Sequence, residues 1–285
     1  MKNDNTQDLN HKEKKLINIG LDVGSTTLKV VVIDSSYNII YKEYCRHHTD
    51  ISGTLNRVFN KMLYKLGNLS AKLTITGSAG MGLSERFGLV FCQEVVASCE
   101  VIYKHFPQIT SFVDIGGEDS KMIFFEAGKT PDIRMNGSCA GGTGSFIDQM
   151  CALLNVDIDE LNLLAENTVT TYPIASRCGV FSKTDVQNLL ARNVSKADIA
   201  ASVLHAVSMQ VITSLARGHN LTSTVFLCGG PFTFIPSLRK AFVEVAKLKT
   251  EDVIIPESSE VVPAWGASIL ADNNEDVKLI SDYIA

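Results

Sequence analysis

The chain has 285 residues, of which 45% are apolar and 20% charged, with a formal net charge of −5. This composition and length allow one large or two ordinary globular domains and exclude a disordered, collagenous or coiled-coil protein. The mild acidity, without a basic tract, argues against nucleic acid as a partner. Apolar runs such as Val30–Ile33 are far shorter than the ~20 residues that span a bilayer, so no membrane association is expected.

The first fifteen residues are polar, mix both charge signs and lack the apolar stretch of a secretory signal. We predict that residues 1–15 form a disordered leader and that the protein is cytoplasmic. Its seven cysteines include no C-x-x-C motif. In a cytoplasmic chain of this size, most of them should be buried free thiols rather than parts of a disulfide framework.

The first part of the chain has β-branched, alternating runs that predict strands, followed by apolar residues at helical spacing. The predicted strands and helices, in order, are Leu16–Asp22, Leu28–Asp34, Ile39–Cys45, Thr54–Leu66 (helix), Lys72–Thr76 and Glu94–Phe106 (helix). The glycine-rich residues 77–82 are predicted to form a loop. The adjacent histidines His47 and His48 are interpreted as a solvated loop pair.

A second strand–turn–strand unit then repeats the first. Three residues recur at identical spacing, Asp22, Gly24 and Lys29 corresponding to Asp114, Gly116 and Lys121. An apolar strand follows the lysine both times. Internal duplication explains these matches together, and a coincidence between two glycine-bearing hairpins is the alternative.

The second half of the chain is richer in helices. The predicted elements are the strands Ser111–Ile115, Lys121–Glu126, Thr224–Cys228 and Val253–Ile255, and the helices Gly144–Asn155, Ile158–Glu166, one from near Ser182, Ile199–Gly218, Phe234–Ala246 and Ala264–Ala271. Strands that alternate with helices predict an α/β fold. We assign residues 16–109 to a first half, 110–271 to a second half and 272–285 to a C-terminal tail.

The first hairpin has a composition suited to phosphate and Mg²⁺. In Asp22-Val23-Gly24-Ser25-Thr26, backbone N–H groups and hydroxyls can cradle phosphoryl oxygens, while the carboxylate of Asp22 holds the metal directly or through water. Lys29 is a plausible group to neutralise phosphate charge. An ordinary hairpin is the alternative.

The second hairpin, Asp114-Ile115-Gly116-Gly117-Glu118-Asp119, repeats this design. If the two hairpins face each other across a cleft, Glu118 is placed to orient or deprotonate the attacking water, although it could equally be an exposed turn carboxylate. Downstream, Gly229-Gly230 follows a predicted strand. Such a turn lets the backbone lie close to an adenine or ribose, and a simple strand–helix turn is again the alternative.

In this order, the three motifs resemble those of the actin, sugar-kinase and heat-shock ATPase superfamily. The resemblance implies a duplicated RNase H-like fold with two halves around a nucleotide cleft that binds ATP or ADP with Mg²⁺. With the roles suggested by the motifs themselves, the candidate catalytic residues are Asp22, Asp114 and Glu118. The resemblance assigns nucleotide contacts to Gly24, Ser25, Thr26, Lys29, Gly116, Gly117, Gly229 and Gly230.

Two cysteines stand in loops just before predicted helices. Cys139 lies in Gly137-Ser138-Cys139-Ala140-Gly141-Gly142-Thr143-Gly144, and Cys178 in Ser176-Arg177-Cys178-Gly179. A helix N-terminus favours the thiolate, which is the metal-binding form. The pair resembles the cluster-binding cysteines of the 2-hydroxyacyl-CoA dehydratase activators, also called CoA-substrate-specific enzyme activases, with Gly141, Gly142 and Thr143 as further cofactor contacts. Structural zinc is a lesser alternative.

The activator family implies a homodimer that shares one [4Fe–4S] cluster, with Cys139 and Cys178 contributed by each chain. Two thiolates per chain fit this arrangement, because such a cluster takes four and a two-fold axis supplies the other pair. ATP hydrolysis would drive a low-potential electron, received from reduced ferredoxin or flavodoxin, into an iron–sulfur dehydratase or reductase, or into a double-cubane cluster protein.

The chain departs from the activator pattern at two places. Glu118 stands where activators often have glutamine, and Pro231-Phe232-Thr233-Phe234 follows the glycine pair, which puts the adenosine contacts in question. These features look more like the activase module of longer, multi-domain relatives. Two other functions on the same fold compete with electron transfer, a small-molecule kinase and a non-redox reactivating ATPase, and both predict a protein without iron.

Overall fold

A computed structural model describes residues 16–136, 140–176, 178–221 and 224–283. Contacts divide the chain into two compact units. Unit 1 contains the residues up to 101 and those from 263 onward, and unit 2 contains residues 102–262. The predicted leader and Cys139 lie outside the described residues.

The strands and helices follow one another in an α/β pattern. The strands are β1 (Leu16–Val23), β2 (Thr27–Ile33), β3 (Ile39–Arg46), β4 (Ser70–Thr76), β5 (Val90–Phe91), β6 (Ser111–Ile115), β7 (Ser120–Phe124), β8 (Asp132–Asn136), β9 (Val225–Cys228), β10 (Val253–Ile254) and β11 (Lys278–Leu279). The helices are α1 (Ile51–Leu66), α2 (Gly80–Phe87), α3 (Glu94–His105), α4 (Gly144–Leu154), α5 (Ile158–Glu166), α6 (Gly179–Ala191), α7 (Lys196–Leu215), α8 (Gly230–Phe234), α9 (Pro236–Ala246) and α10 (Val262–Leu270).

Unit 1 is built on a six-stranded sheet in the order β11-β4-β1-β2-β3, with β5 also paired to β4. Strands β1, β2 and β3 form an antiparallel meander, and β4 runs parallel to β1. Helix α1 contributes Val58, Phe59 and Met62 to the core of this unit. Asp50 caps α1, because its carboxylate accepts a hydrogen bond from the N–H of Gly53.

Unit 2 repeats this topology in a five-stranded sheet with the order β10-β9-β6-β7-β8. Strands β6, β7 and β8 form an antiparallel meander, and β9 runs parallel to β6 as β4 does to β1. The register repeats as well, since Asp22 pairs with Lys29 and Asp114 pairs with Lys121. The internal duplication predicted from the sequence is therefore present in the strand pairing.

Helix α7 is the central helix of unit 2. By length and composition it could cross a membrane, but 67% of its apolar stretch is buried inside the structure. It packs against α5 and α9 and places Val203, Val207 and Val211 in the core. The apolar character of α7 is thus that of a core helix.

Some elements differ from those predicted. Residues 80–87 form α2 rather than a glycine loop, because the turn is completed at Gly77 and Gly80 then packs on Ile75. The unpredicted strand β8 is a short edge strand, and its two apolar residues, Ile133 and Met135, are exposed rather than packed in the core.

The C-terminal segment also differs from its assignment. Residues from Pro263 onward belong to unit 1, whereas the sequence placed residues up to 271 in the second half. The reason lies in long-range packing: α10 lies against β1, where a Cβ at Gly20 would come within 1.9 Å of the Ala264 carbonyl oxygen, and β11 pairs with β4 through Lys278 and Leu279. Unit 1 is therefore discontinuous in sequence.

Candidate functional site

Each predicted phosphate hairpin begins at a buried carboxylate paired with a lysine. In unit 1, Lys29 Nζ lies 2.7 Å from Asp22 Oδ2, and the Asp22 side chain is 1% exposed. In unit 2, Lys121 Nζ lies 3.0 Å from a carboxylate oxygen of Asp119 and 3.8 Å from one of Asp114. A buried charge is tolerated only when it is paired, so these lysines fix the carboxylates at the strand ends.

Lys121 belongs to the second hairpin and is not among the site residues predicted from the sequence. Its side chain is 1% exposed, and it occupies the position in β7 that Lys29 occupies in β2. The internal repeat could have identified Lys121, because it aligns this residue with Lys29.

The turns of the two hairpins have the same geometry. The N–H of Gly24 donates to the carbonyl of Thr27 over 2.9 Å, and the N–H of Gly116 donates to that of Asp119 over the same distance. Both turns are exposed at the tip, at Ser25 in unit 1 and at Gly117 and Glu118 in unit 2. Exposed tight turns of this kind can present backbone N–H groups to an anion.

A glycine with positive φ follows the neighbouring parallel strand in each unit. Gly77 follows β4 with a φ of +94°, and Gly229 follows β9 with a φ of +97°. A Cβ at Gly77 would lie 2.4 Å from Asp22 Oδ1, and one at Gly229 would lie 2.4 Å from Asp114 Oδ1. Gly229 was predicted as a site residue, and Gly77 is its unpredicted counterpart.

Alanine at Gly77 or Gly229 is therefore expected to destabilise the protein more than alanine at Gly88. Gly88 also has a positive φ, +62°, but no atom lies within 4 Å of its Cβ position. All three variants carry backbone strain, which is smallest in the left-handed helical conformation of Gly88, and only the first two add a clash with a buried carboxylate or carbonyl. The extra loss should be roughly 1–3 kcal/mol in unfolding free energy, measured by denaturant titration. Equal losses in all three variants would contradict this packing.

The unusual segment after Gly229 is explained by packing. Phe232 is fully buried, and the hydroxyl of Thr233 donates to the Gly229 carbonyl over 2.9 Å. The Thr233 hydroxyl also lies 2.7 Å from that of Ser259. These contacts hold the glycine turn, while the contact of Gly229 and Gly230 with adenosine stays a prediction.

The second hairpin is joined to the start of α4. The N–H of Gly144 donates to the carbonyl of Gly116 over 2.9 Å, and the N–H of Ser145 donates to that of Gly117 over 2.7 Å. Both acceptors belong to the predicted phosphate turn. A displacement of that turn would therefore be transmitted directly to the first turn of α4.

The turn before α4 packs inward. Thr143 is fully buried, and its hydroxyl donates to the Ala140 carbonyl over 2.7 Å. Gly142 lies against α7, where a Cβ would come within 2.9 Å of Val211. Gly141 is buried in the same turn. The observed contacts of these three residues are internal, so their predicted contact with a cofactor remains a prediction.

Cys178 is half-buried and is the N-cap of α6, without a side-chain capping hydrogen bond. The α6 terminus approaches the turn that follows Cys139, since a Cβ at Gly179 would lie 3.9 Å from the Cα of Gly141. The next two residues expose apolar side chains, with Val180 72% and Phe181 66% exposed.

The other described cysteines have a different environment. Cys99, Cys151 and Cys228 are buried, and Cys45 and Cys92 are half-buried. Burial raises the pKa of Cys92, Cys99 and Cys151 to about 11, which keeps these thiols neutral. Among the described residues, no group of three or more potential metal ligands converges, so a metal at Cys178 would need ligands from outside them.

His47 contradicts its interpretation as a solvated residue. It is only 4% exposed, and its Nε2 lies 3.1 Å from the carbonyl oxygen of Gly24 in the first hairpin. His48 is exposed, as predicted. No sequence pattern indicates this difference, because the burial of His47 depends on how β3 ends against the hairpin.

Comparison with known proteins gives three findings. The sequence profile of the BadF/BadG/BcrA/BcrD ATPase family matches residues 19–271. The (R)-2-hydroxyglutaryl-CoA dehydratase activating ATPase of Acidaminococcus fermentans is 30% identical, over 74% of this chain and 82% of that protein. The structure of the activator of the 2-hydroxyisocaproyl-CoA dehydratase from Clostridium difficile, with bound ADPNP, matches with a TM-score of 0.78 and 26% identity, over 94% of this chain and 95% of that one.

A more distant structure bears on the fold alone. A ROK family glucokinase from Streptomyces griseus, in complex with glucose and AMPPNP, matches with a TM-score of 0.50 and 12% identity, over 90% of this chain and all of that one. The predicted fold class, that of the duplicated actin- and sugar-kinase-like ATPases, is confirmed by these structural matches.

Proposed function

Because the chain belongs to the BadF/BadG/BcrA/BcrD ATPase family, we propose that it is a cytoplasmic, ATP-dependent activator of an iron–sulfur dehydratase or reductase. In this proposal a homodimer holds one [4Fe–4S] cluster and uses ATP hydrolysis to deliver a low-potential electron to its partner. The dehydratase activators among its relatives support the ATP-dependent activation, and the two cysteine-bearing loops support the cluster.

We assign the nucleotide phosphates to the two hairpins. Gly24, Ser25 and Thr26 would contact them in unit 1, and Gly116 and Gly117 in unit 2. Asp22 Oδ2 is engaged by Lys29 and Oδ1 packs against Gly77, which favours a role for Asp22 in holding Mg²⁺ through water. When bound, the ion would supply charge neutralisation at the phosphates.

Glu118 is the group we assign to the attacking water. It is exposed at the tip of the second hairpin, beside the backbone assigned to the phosphates. Asp114 lies at the base of the same hairpin, only 4% exposed, with Lys121 beside it. A carboxylate at the tip can orient or deprotonate water while the buried carboxylate fixes the turn.

Cys178 and Cys139 would hold the cluster, which supplies one-electron chemistry. The position of the half-buried Cys178 at the N-terminus of α6 suits a thiolate ligand, whereas burial raises the pKa of Cys92, Cys99 and Cys151 and makes those thiols poor ligands. A four-thiolate cluster needs a second copy of the chain. The exposed Val180 and Phe181, next to Cys178, give that copy an apolar surface to cover.

The observation that carries the proposal is the bonding of the second hairpin to α4. The carbonyls of Gly116 and Gly117 accept hydrogen bonds from the first two N–H groups of α4. A shift of these residues on phosphate binding would therefore move the start of α4. The turn at Gly141 lies between α4 and the N-terminus of α6, where Cys178 stands. Nucleotide exchange would thereby alter the loops of both cysteines.

The net reaction balances as follows. One electron leaves reduced ferredoxin or flavodoxin, which is oxidised, and enters the iron–sulfur centre of the partner, which is reduced. In the same cycle, ATP and water give ADP and phosphate. Coupling requires ATP to bind two states of the activator unequally, and the α4 contact gives those states a structural difference.

The test is whether the nucleotide changes the access of a chelator to iron. With anaerobically purified protein, ATP is expected to increase the rate of iron removal by a chelator several-fold relative to ADP. The pair Gly144→Pro and Gly144→Ala separates coupling from packing. Proline replaces the N–H that donates to Gly116 with a ring methylene, which forces the Gly116 carbonyl away from α4, whereas alanine adds a Cβ and keeps that N–H.

The proline variant should lose the nucleotide effect and the alanine variant should retain it. Iron removal at the same rate with ATP and ADP in the unaltered protein would contradict the coupling. Retention of the full nucleotide effect in Gly144→Pro would show that the signal does not pass through this hydrogen bond.

A further inference from the structure

His47 lies at the end of β3, with its ring against the first hairpin. Its Nε2 is 3.1 Å from the carbonyl oxygen of Gly24, and the N–H of Thr49 approaches its Nδ1 at 3.2 Å. The backbone of His47 also contacts the hairpin, since its N–H donates to the carbonyl of Thr26 over 3.2 Å. One buried residue thus contacts both ends of the hairpin segment Gly24–Thr26.

These contacts define which ring nitrogen carries the proton. An N–H points at Nδ1, so Nδ1 must accept and cannot itself be protonated. The proton of the neutral ring is then on Nε2, from which it donates to the Gly24 carbonyl. A doubly protonated ring would set two donors, Nδ1–H and the Thr49 N–H, against each other.

The turn that follows His47 is strained in a way that holds the ring in place. His48 and Thr49 both have positive φ, 47° and 67°, although neither is glycine. Such conformations persist only where surrounding contacts enforce them. Here the enforcing contacts are the Thr49 N–H on the ring and the N–H of Asp50, which donates to the His47 carbonyl over 2.8 Å before α1 begins.

The contact with Gly24 sets the direction of the next N–H. A peptide group is planar and trans, so the Gly24 carbonyl and the Ser25 N–H point in opposite directions. Because the carbonyl is directed at His47, the Ser25 N–H is directed away from it, toward the exposed side of the turn. That N–H is one of the donors expected to meet a phosphate oxygen.

We propose that His47 is a positioning residue that fixes the Gly24–Ser25 peptide so that its N–H is oriented to bind a nucleotide phosphate. This inference rests on the proposed nucleotide site. It adds a residue outside the hairpin motif, and it predicts that the donor at Nε2, rather than the volume or the charge of the ring, is what the site requires.

Two substitutions separate the donor from the rest of the ring. In His47→Gln the side-chain amide reaches the place of Nε2 and can still donate to Gly24. In His47→Asn the shorter side chain reaches only the place of Nδ1, so it can accept from Thr49 but cannot reach Gly24. His48→Gln, at the exposed neighbour, is the matched control.

We expect His47→Asn to raise the Kd for ADP roughly tenfold, the size of effect that loss of one buried hydrogen bond produces. His47→Gln should stay within about threefold of the unaltered protein, and His48→Gln should match it. In steady state, KM for ATP should rise in His47→Asn while kcat changes little, because the bond is made equally in ground and transition states. Thermal unfolding of each variant checks that the fold is kept.

A second measurement needs no substitution at all. In protein carrying nitrogen-15-labelled histidine, His47 should be the neutral Nε2–H tautomer, with a slowly exchanging proton and a resonance that shifts on addition of ADP. The ring N–H proton of the exposed His48 should exchange rapidly with solvent. An Nδ1–H tautomer, or a His47 resonance that ADP leaves unchanged, would overturn the role.

The outcomes distinguish this inference from the function on which it rests. Unaltered protein that binds no ADP overturns the nucleotide site and this role with it. Unaltered protein that binds ADP, together with a His47→Asn variant of equal affinity, overturns the role of His47 alone. A His47→Gln variant as weak as His47→Asn overturns the donor requirement.

Discussion

Serine in place of Cys178 is expected to reduce the iron content of anaerobically purified protein to background, and serine in place of Cys139 should do the same. By the proposed symmetry, each change removes two of the four thiolates at once, and a serine hydroxyl is a poor replacement ligand for a cluster. Iron and acid-labile sulfide per chain measure the loss, together with the visible absorption.

The matched control is Cys45→Ser. Cys45 is half-buried, and its thiol donates to the Leu28 carbonyl over 3.6 Å, a bond that a serine hydroxyl can also make. This variant should keep its iron. Full iron content in Cys178→Ser would contradict the cluster assignment, and iron lost equally from the Cys45 variant would point to a general effect on folding.

The second large effect is expected at the buried carboxylates. Asparagine at Asp22 or Asp114 should lower ATP hydrolysis by about a hundredfold or more, because the charge that holds the metal and organises the hairpin is lost in a preorganised site. Asp22→Asn should also destabilise unit 1, since it removes the buried negative charge that lies 2.7 Å from the Lys29 ammonium. In unit 2, Asp114→Asn leaves the ion pair of Lys121 with Asp119, at 3.0 Å, in place.

Glu118→Gln provides the contrast within the same series. An exposed group that acts on water should affect kcat while leaving the affinity for ADP nearly unchanged. Glu126→Gln, at an exposed carboxylate that pairs with Lys129, should change neither quantity. Phosphate release and ADP titration measure the two effects. Full hydrolysis in both aspartate variants would overturn the assignment of the hairpins to phosphate.

The sequence predicted those parts of the molecule that depend on local pattern and on repetition. The hairpins at Asp22 and Asp114 were found because spacing of aspartate, glycine and lysine is a local property, and the structure reproduces it in register and hydrogen bonding. The same repeat identifies Lys121 as the counterpart of Lys29.

Features decided by long-range packing were not predictable in this way. Strand β11 joins unit 1 by pairing with β4, two hundred positions earlier in the chain, and no local signal marks that partner. His47 is buried and His48 exposed because the strained turn directs the His47 ring toward the hairpin. Helix α2 was not predicted because glycines at positions 80 and 82 indicate a loop. In the structure Gly77 alone makes the turn, and the helix begins at Gly80.

The iron stoichiometry of the unaltered protein, purified without oxygen and measured together with its mass in solution, decides whether two chains share one cluster. We expect a coloured dimer with about four iron atoms per pair of chains, that is, one cluster bound by Cys139 and Cys178 of both copies. A colourless protein without iron, or about four iron atoms in each isolated monomer, would contradict it.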